Sequence, residues 1–534
     1  MNERPADLLR DVGRSDPRGP ACEVGAVLLS VALFTASFPP FALRPLAWVA
    51  LAPLFAVVRG ATPRRALGLT LLWSFAAAYA TGTWLPPAIA TYFEQPLAVG
   101  IAFFLFVAAT MVAPYYLVFA FAWRRMPAHP LLPWLGAAAW VTAELGRGRL
   151  FTDTPFFIGN PWGLVGYSQA GLGPVTQVAS LFGIYGVSFA VASSNAAWAE
   201  LWRARAGLAD APARALGRLA LGLAPGALAI AFGAVALARA DDPGPPSRIA
   251  VVQGNLDVGS RWKAELYGAN LEVYLELTRA AIERHRPALV VWPEAAMTFF
   301  VADEPLYRRA LGAVLPEGVE LLAGAPRTEG RGHDAIYFNS TFVFGPDGEI
   351  RGRYDKEYLV PFTEYFPLRV DFLRRQFGRA REFTRGAPGP PLDTIAGPVG
   401  VAVCNEAMLP EVVSARVAAG ATWLVNPSND SWLADAQYSE MQFDVVSLRA
   451  VEQRRTLVRA STSGPSAVVD PWGRVRVRSA PLERSVIVGE VRPRHGLTLY
   501  NRIGDAFAFA CVAVALAAAW RDHGERAQGA GPVQ

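Results

Sequence analysis

Between Cys22 and Ala240 the chain is a nearly unbroken series of long apolar runs, its acids confined to Glu23, Glu94, Glu144, Asp153, Glu200 and Asp210. Backbone N–H and C=O groups inside hydrocarbon find no water, so such a chain is restricted to helices that satisfy their own polar groups. Spans are expected near 22–38, 41–59, 65–91, 97–123, 130–146, 175–202 and 214–239, with an eighth at 503–520. Arginine orients them, because short cytoplasmic loops retain positive charge. The N-terminal tail holds Arg4, Arg10, Arg14 and Arg18, and the C-terminal tail Arg521 and Arg526. Between them the second connection has Arg59, Arg64 and Arg65, the fourth Arg124 and Arg125, and the sixth Arg203, Arg205, Arg214 and Arg218. The loops on the other side are poorer: Arg44 in the first, none in the third, Arg147 and Arg149 in the fifth. The alternation places both termini inside and the large segment between spans seven and eight outside. A polar stretch ahead of the first run, and another span directly after it, argue that this run is retained rather than cleaved.

The expected organisation is therefore a cytoplasmic tail over 1–21, a seven-span transmembrane bundle over 22–240, an α/β domain over 247–495, a C-terminal transmembrane helix over 503–520 and a cytoplasmic tail over 521–534. In the α/β domain charges return, and short β-rich runs at 248–253, 288–292, 319–323, 338–344, 399–403, 422–425, 457–460, 467–469 and 485–488 alternate with polar helical patterns. Helices are expected over 263–284, 305–314, 410–419 and 440–453, with hairpin turns at 346–348 and 470–473. The 52% hydrophobic content thus blends two unlike regions, and the net charge of +5 is absorbed by cytoplasmic arginines without calling for nucleic acid. His129, His285, His333, His495 and His523 are scattered with no metal-ligand spacing, so neither a metal nor another cofactor is expected. Cys22, Cys404 and Cys511 do not suggest a disulfide framework. Cys22 has no apolar segment ahead of it, which argues against a lipid-modified cysteine.

Functional side chains in layered α/β folds cluster where strands end. Val-Val-Trp-Pro-Glu ends a strand at Glu294, which reads either as a functional carboxylate or as an acid favouring a helix N-terminus. Arg-Tyr-Asp-Lys follows a hairpin at Lys356, a surface lysine by default. Yet Lys263 and Lys356 are the only lysines among 50 basic residues, which singles out a position that arginine does not fill. Cys404 closes the apolar run Val-Gly-Val-Ala-Val, as a small buried hydrophobe or as a nucleophile. Together a carboxylate, an ammonium and a thiol supply what covalent acyl transfer needs: a proton acceptor, an oxyanion partner and an attacking sulfur. A Ser-His-Asp arrangement lacks its G-x-S-x-G turn, and no phosphate-binding or Rossmann glycine pattern occurs.

The Trp-Pro-Glu, Tyr-Asp-Lys…Leu-Val-Pro-Phe-Thr-Glu-Tyr and Cys-Asn-Glu segments resemble the Glu-Lys-Cys triad of the nitrilase superfamily. A membrane bundle before the domain and one span after it resemble its apolipoprotein N-acyltransferase branch. So do Trp140-Val141-Thr142-Ala143-Glu144 with Arg147, Asn160-Pro161-Trp162, Gly166-Tyr167-Ser168-Gln169, and Gln253-Gly254-Asn255 followed by Trp262. The resemblance implies eight spans plus a periplasmic nitrilase-like αββα sandwich domain in the bacterial inner membrane. It implies Glu294 as general base, Cys404 as nucleophile and Lys356 as oxyanion partner, with the Asn405 N–H as a second donor, Glu364 as an additional glutamate and Glu406 as the acid two places after the cysteine. It implies Trp262 on the substrate side. Phe362 and Tyr365 are further candidates for substrate contact, and with Phe299, Phe300 and Phe366 for shielding a thioester from water, core packing being the alternative. Asn405 stands where the family often has tyrosine. The segments 436–441 and 459–464 lack the usual Gln-His and Thr-Asn pairs, departures expected to affect substrate access rather than the triad.

The expected reaction is ping-pong: a phospholipid acyl donor esterifies Cys404, and the N-terminal amine of a diacylated apolipoprotein acceptor takes the acyl group. Membrane lipid is the meeting surface, and anchoring raises the effective concentration of both substrates. Alternatives are a membrane-tethered amidase that hydrolyses a small C–N substrate, an acyltransferase with another acceptor, and a non-enzymatic transporter or receptor bundle. The last predicts charges buried among the spans. Only Glu144 with Arg147 approaches that, and an interfacial pair at a helix end is the simpler reading.

Overall fold

A computed structural model describes residues 19–529 apart from 151, 153, 155–158, 210, 211, 242, 243, 257–266, 331, 368–381, 432 and 434. Trp262 and Lys263 therefore lie outside the described residues.

The N-terminal half is helical. Its main helices are α1 (Pro20–Ala36), α2 (Ala52–Gly60), α3 (Pro63–Thr81), α4 (Leu85–Tyr92), α5 (Leu97–Met111), α6 (Ala113–Arg125), α7 (Leu132–Arg149), α8 (Ala179–Arg205) and α9 (Pro212–Ala238). An aromatic cluster joins α3, α6 and α7, with the Trp73 ring 5.0 Å from Tyr116 and 5.5 Å from Trp140. By length and apolarity, Leu97–Arg125 and Ala213–Ala238 are the described segments that qualify to cross a membrane, with Pro20–Ala36 and Ala506–Trp520 as shorter apolar helices.

Several expected spans are interrupted, each for a local reason. The 41–59 run breaks between Ala47–Ala50 and α2, where the Asn195 side chain accepts from the Leu51 and Ala52 N–H groups and donates to the Ala47 carbonyl. A buried side chain thus replaces the backbone partners lost at the break. The 65–91 run divides around Gly82 and Thr83 before Pro86, and the 97–123 run at Val112 before Pro114. Proline lacks the N–H a helix interior needs and clashes with the preceding turn. Helix α8 kinks at Gly183, whose φ is +63°.

Residues 247–491 fold into two sheets. The first has six strands in the order β11-β1-β2-β3-β4-β5, namely Ser485–Val491, Ser247–Gln253, Leu289–Val291, Glu320–Glu329, Ile336–Phe344 and Ile350–Asp355. The second has five in the order β10-β9-β8-β7-β6: Val475–Arg478, Ala467–Val469, Leu457–Ser461, Trp423–Ser428 and Val399–Val401. Alternation decides the layers. Ile249, Val251, Leu289, Val291 and Leu322 of one sheet share a buried core with Val399, Val401, Trp423, Val425 and Val458 of the other. Ala250, Val252, Val290 and Leu321 instead face α10 (Tyr267–His285) and α11 (Pro305–Gly312). The second sheet's outer face carries α12 (Pro410–Ala418) and α13 (Ala436–Gln453), which also join the core of the helical region. The result is an αββα sandwich docked through α13 onto the helical region. Arg44 binds Asp444 with two hydrogen bonds of 3.0 and 3.1 Å, and Arg449 donates to the Tyr167 hydroxyl at 2.7 Å. The described residues end on α14 (Ala506–Gly529).

Strands β5 and β10 were not expected from the sequence. Each sits at a sheet edge and carries outward arginines (Arg351 and Arg353; Arg476 and Arg478) that mask the β pattern while discouraging pairing with another chain.

Candidate active site

Strand β2 ends at Val291, and Trp292-Pro293 delivers Glu294 to the rim of the sandwich, 6% exposed. The turn is tight enough that Ala295 takes a positive φ of 49°. Gly324 on β3 lies directly beneath it. A Cβ there would stand 2.6 Å from the Pro293 carbonyl oxygen and 2.8 Å from the Glu294 Cα, both backbone atoms. Gly324→Ala is therefore expected to push Glu294 out of register. It should lower stability by about 1–3 kcal/mol, as overpacking does, and slow the reaction at least tenfold. Full activity would show that the placement tolerates the shift.

Lys356 follows edge strand β5, its backbone N–H bonded to the Asn339 carbonyl of β4. Its Nζ is 1% exposed and sits 3.2 Å from Glu294 Oε1 and 2.9 Å from Glu364 Oε2. Asn339 Nδ2 donates to both carboxylates, at 2.7 Å to Glu294 and 2.8 Å to Glu364. The Asn429 N–H holds the second Glu294 oxygen at 2.9 Å, and the Val360 N–H the second Glu364 oxygen at 2.8 Å. Burial alone would lower the Lys356 pKa, but Glu294 and Glu364 outweigh it and hold the ammonium well above its usual range.

Cys404 opens a short 3₁₀ turn (Cys404–Met408) after β6 and occupies the left-handed region, with φ at 50°. This strained turn lifts the thiol out of the sheet end. Its Sγ lies 3.6 Å from the Ser428 hydroxyl, at the end of β7. Burial pushes the thiol up to about 12, and the Glu294 charge adds to this while Lys356 opposes it. The sulfur thus rests as a thiol at neutral pH, beside a carboxylate able to take its proton.

Glu406 faces away from this cluster. Its carboxylate accepts from Tyr354 Oη, from the Glu357 and Tyr358 N–H groups and from the Val403 N–H, at 2.7 to 3.0 Å. It therefore ties the cysteine turn to the segment after Lys356, and burial holds its carboxyl above the ordinary range despite those donors. The Asn405 backbone N–H makes no hydrogen bond among the described residues, while its side-chain oxygen accepts from Gln442 Nε2 at 3.2 Å.

A cavity of about 260 Å³ opens beside Asn405 and Met408 and runs between the domain and helices α3 to α7. Its walls are almost wholly apolar or aromatic, with Trp84, Trp162, Phe362 and Tyr438 prominent among them. Phe362 meets Phe103 edge-on at 5.8 Å. Tyr365, by contrast, does not line the cavity, and its carbonyl instead accepts from the Phe362 N–H at 2.7 Å. Phe299 packs in the domain core against Tyr307 at 4.3 Å, so core packing accounts for it.

Two residues that support the site escaped the sequence. Asn339 sits mid-strand, where it reads as ordinary alternation. Arg459, expected to affect access alone, is fully buried beneath the site and donates to Asn426, Asp430 and Gln442. Asn426 in turn holds the Cys404 carbonyl at 3.1 Å. Glu144 and Arg147, singled out in the sequence, both lie near the end of α7 and are buried, with Glu144 accepting from Trp140 Nε1 and the Val165 N–H. Among the described residues no group of three or more His, Cys, Asp or Glu side chains could hold a metal ion.

Residues 30–197 match the family model for the apolipoprotein N-acyltransferase N-terminal domain, and residues 248–496 that for carbon-nitrogen hydrolase. The apolipoprotein N-acyltransferase of Geobacter metallireducens is 34% identical over 91% of this chain and 92% of its own. That of Azotobacter vinelandii is 34% identical over 89% and 90%. Among solved structures, the C. elegans NitFhit protein aligns at 21% identity over 47% of this chain and 61% of its own, with a TM-score of 0.37. With a curated relative at that identity matched over nearly its whole length, the chain belongs to the apolipoprotein N-acyltransferase family.

Proposed function

We propose that the protein acylates the N-terminal amine of diacylglyceryl-cysteine in apolipoproteins, using a membrane phospholipid as donor and a Cys404 thioester as intermediate. Glu294 takes the thiol proton as sulfur attacks the ester carbonyl, and returns it to the departing glycerol oxygen of the lysophospholipid. Lys356 Nζ and the Asn405 N–H stabilise the oxyanion. In the second half, the amine attacks the thioester, Glu294 takes its proton, and the thiol is regenerated. Glu364 and Asn339 hold the charges that position Glu294 and Lys356.

The observation that carries this reading is the juxtaposition of a buried Glu–Lys–Cys constellation with an apolar cavity walled by the helical region. A small-amide hydrolase has no use for such a wall, whereas an acyl chain fills it and excludes the water that would hydrolyse the thioester. With the arginine pattern, the cavity also supports the eight-span arrangement, interrupted spans included. In it the termini lie in the cytoplasm and the 247–495 domain on the periplasmic face of the inner membrane.

Purified protein incubated with phospholipid is expected to gain one acyl mass on Cys404. A diacylated lipopeptide should then discharge it as an N-acyl product. Failure of folded protein to form the adduct, or discharge to free fatty acid at a rate indifferent to lipopeptide, would overturn the proposal.

A further inference from the structure

The same apolar cavity contains one ionised side chain, Arg147, near the C-terminal end of α7. Its side chain is 5% exposed, and among the described residues no carboxylate lies within ion-pair distance of it. Glu144, one turn earlier, spends Oε1 on Trp140 and the Val165 N–H, and acts on Arg147 only from beyond ion-pair distance. Arg147 spends one nitrogen on the Tyr116 hydroxyl at 3.0 Å and another on the Trp162 carbonyl, and its Nε has no partner among the described residues. A guanidinium has five N–H donors, so Nε–H and a hydrogen on each terminal nitrogen remain unspent.

A buried cation without a direct ion pair is costly, and neither the more distant Glu144, the helix terminus nor the Tyr116 ring, with the guanidinium carbon 5.8 Å from its centroid, bonds its remaining donors. Apolar walls with one unsatisfied fork describe a receptor for an amphiphile bearing an anionic group. Planar bidentate donation is the geometry that suits a phosphate.

We infer that Arg147 binds the phosphodiester of the glycerophospholipid donor, seating its headgroup while the acyl chains occupy the apolar walls. This rests on the acyl-transfer reading for the identity of the ligand. The acceptor's diacylglyceryl group has no phosphodiester, so Arg147 acts in the first half-reaction and not in the second. Two substrates that share one apolar cavity are thereby told apart by a charge that only one of them needs.

The test compares full-length wild-type protein with Arg147→Gln, which removes the charge but keeps a polar amide, and with Arg147→Lys, which keeps the charge and loses the fork. Equilibrium binding is measured for dipalmitoyl phosphatidylglycerol and for phosphate-free dipalmitoylglycerol. Arg147→Gln is expected to weaken phospholipid binding about ten- to a hundredfold, the scale of a lost charge-assisted pair, and to change dipalmitoylglycerol binding by less than about twofold. Arg147→Lys should fall between. Cys404 acylation from the phospholipid should slow to match, while lipopeptide discharges a preformed acyl-enzyme at the wild-type rate. Equal weakening toward both lipids, or none, would overturn the inference. So would wild-type phospholipid binding in Arg147→Lys, should the Gln variant not fold. Selective phospholipid binding through Arg147 with no adduct on Cys404 would sink the acyl-transfer reading and leave this one standing.

Discussion

Glu294→Gln is expected to move two properties of Cys404 in opposite directions. Acyl-enzyme formation should fall by about 10²- to 10⁴-fold, the usual contribution of a positioned general base. Alkylation by a small neutral electrophile should become easier at a given pH. The Glu294 charge is second only to burial in holding the thiol at about 12, while Lys356 works the other way. Removing the carboxylate leaves the ammonium opposed by burial and the remoter Asp430, so the thiol's pKa drops part of the way toward its ordinary value. In the wild type a raised pKa means a protonated sulfur, and its alkylation rate should climb about tenfold per pH unit from 7 to beyond 10. In the variant the curve shifts to lower pH. The modified site is read by peptide mass, because Cys22 is exposed and reacts as well. A wild-type rate of acyl-enzyme formation in Glu294→Gln would remove Glu294 from the base role. An unmoved alkylation curve would show that its charge does not reach the sulfur.

The strand-end residues were legible because their signals are local. Trp-Pro-Glu and Cys-Asn-Glu each announce the end of an apolar run, Tyr-Asp-Lys follows a hairpin turn, and the scarcity of lysine isolates Lys356. The αββα layering came from the resemblance, and the structure shows its basis in alternation: in Ile249 to Val252 successive side chains split between two cores. What stayed hidden depends on register between segments remote in sequence. Asn339 acts only because β4 pairs with β5 so that its carbonyl meets the Lys356 N–H and its amide reaches two acids. Arg459 lies in an otherwise apolar strand, and three acceptors from three segments have to converge before its burial makes sense. Apolar windows likewise count residues without seeing that Gly82, Pro114 or Gly183 interrupts a helix. Hydrophobicity located the helical region, and backbone chemistry divided it.

Lys356→Arg should cost about 10²- to 10³-fold in acyl-enzyme formation, comparable to losing an oxyanion donor, although the charge is retained. The lysine is 1% exposed, and its Nζ lies within 3.2 Å of both Glu294 and Glu364, a space shaped for a compact ammonium. A guanidinium is planar and longer, and its fork would pair with the two carboxylates rather than point at a developing oxyanion. The contrast with Lys356→Met separates charge from shape. Without the cation, Glu294 and Glu364 keep Asn339 as a shared donor but lose the ammonium that holds them together. Lys356→Met should therefore slow acyl-enzyme formation more than Lys356→Arg, since it removes both the oxyanion's cation and the group that positions Glu294. Activity near wild type in Lys356→Arg would mean that a charge anywhere in the cluster suffices. A rate in Lys356→Met equal to that in Lys356→Arg would mean that shape alone, and not charge, decides at this position.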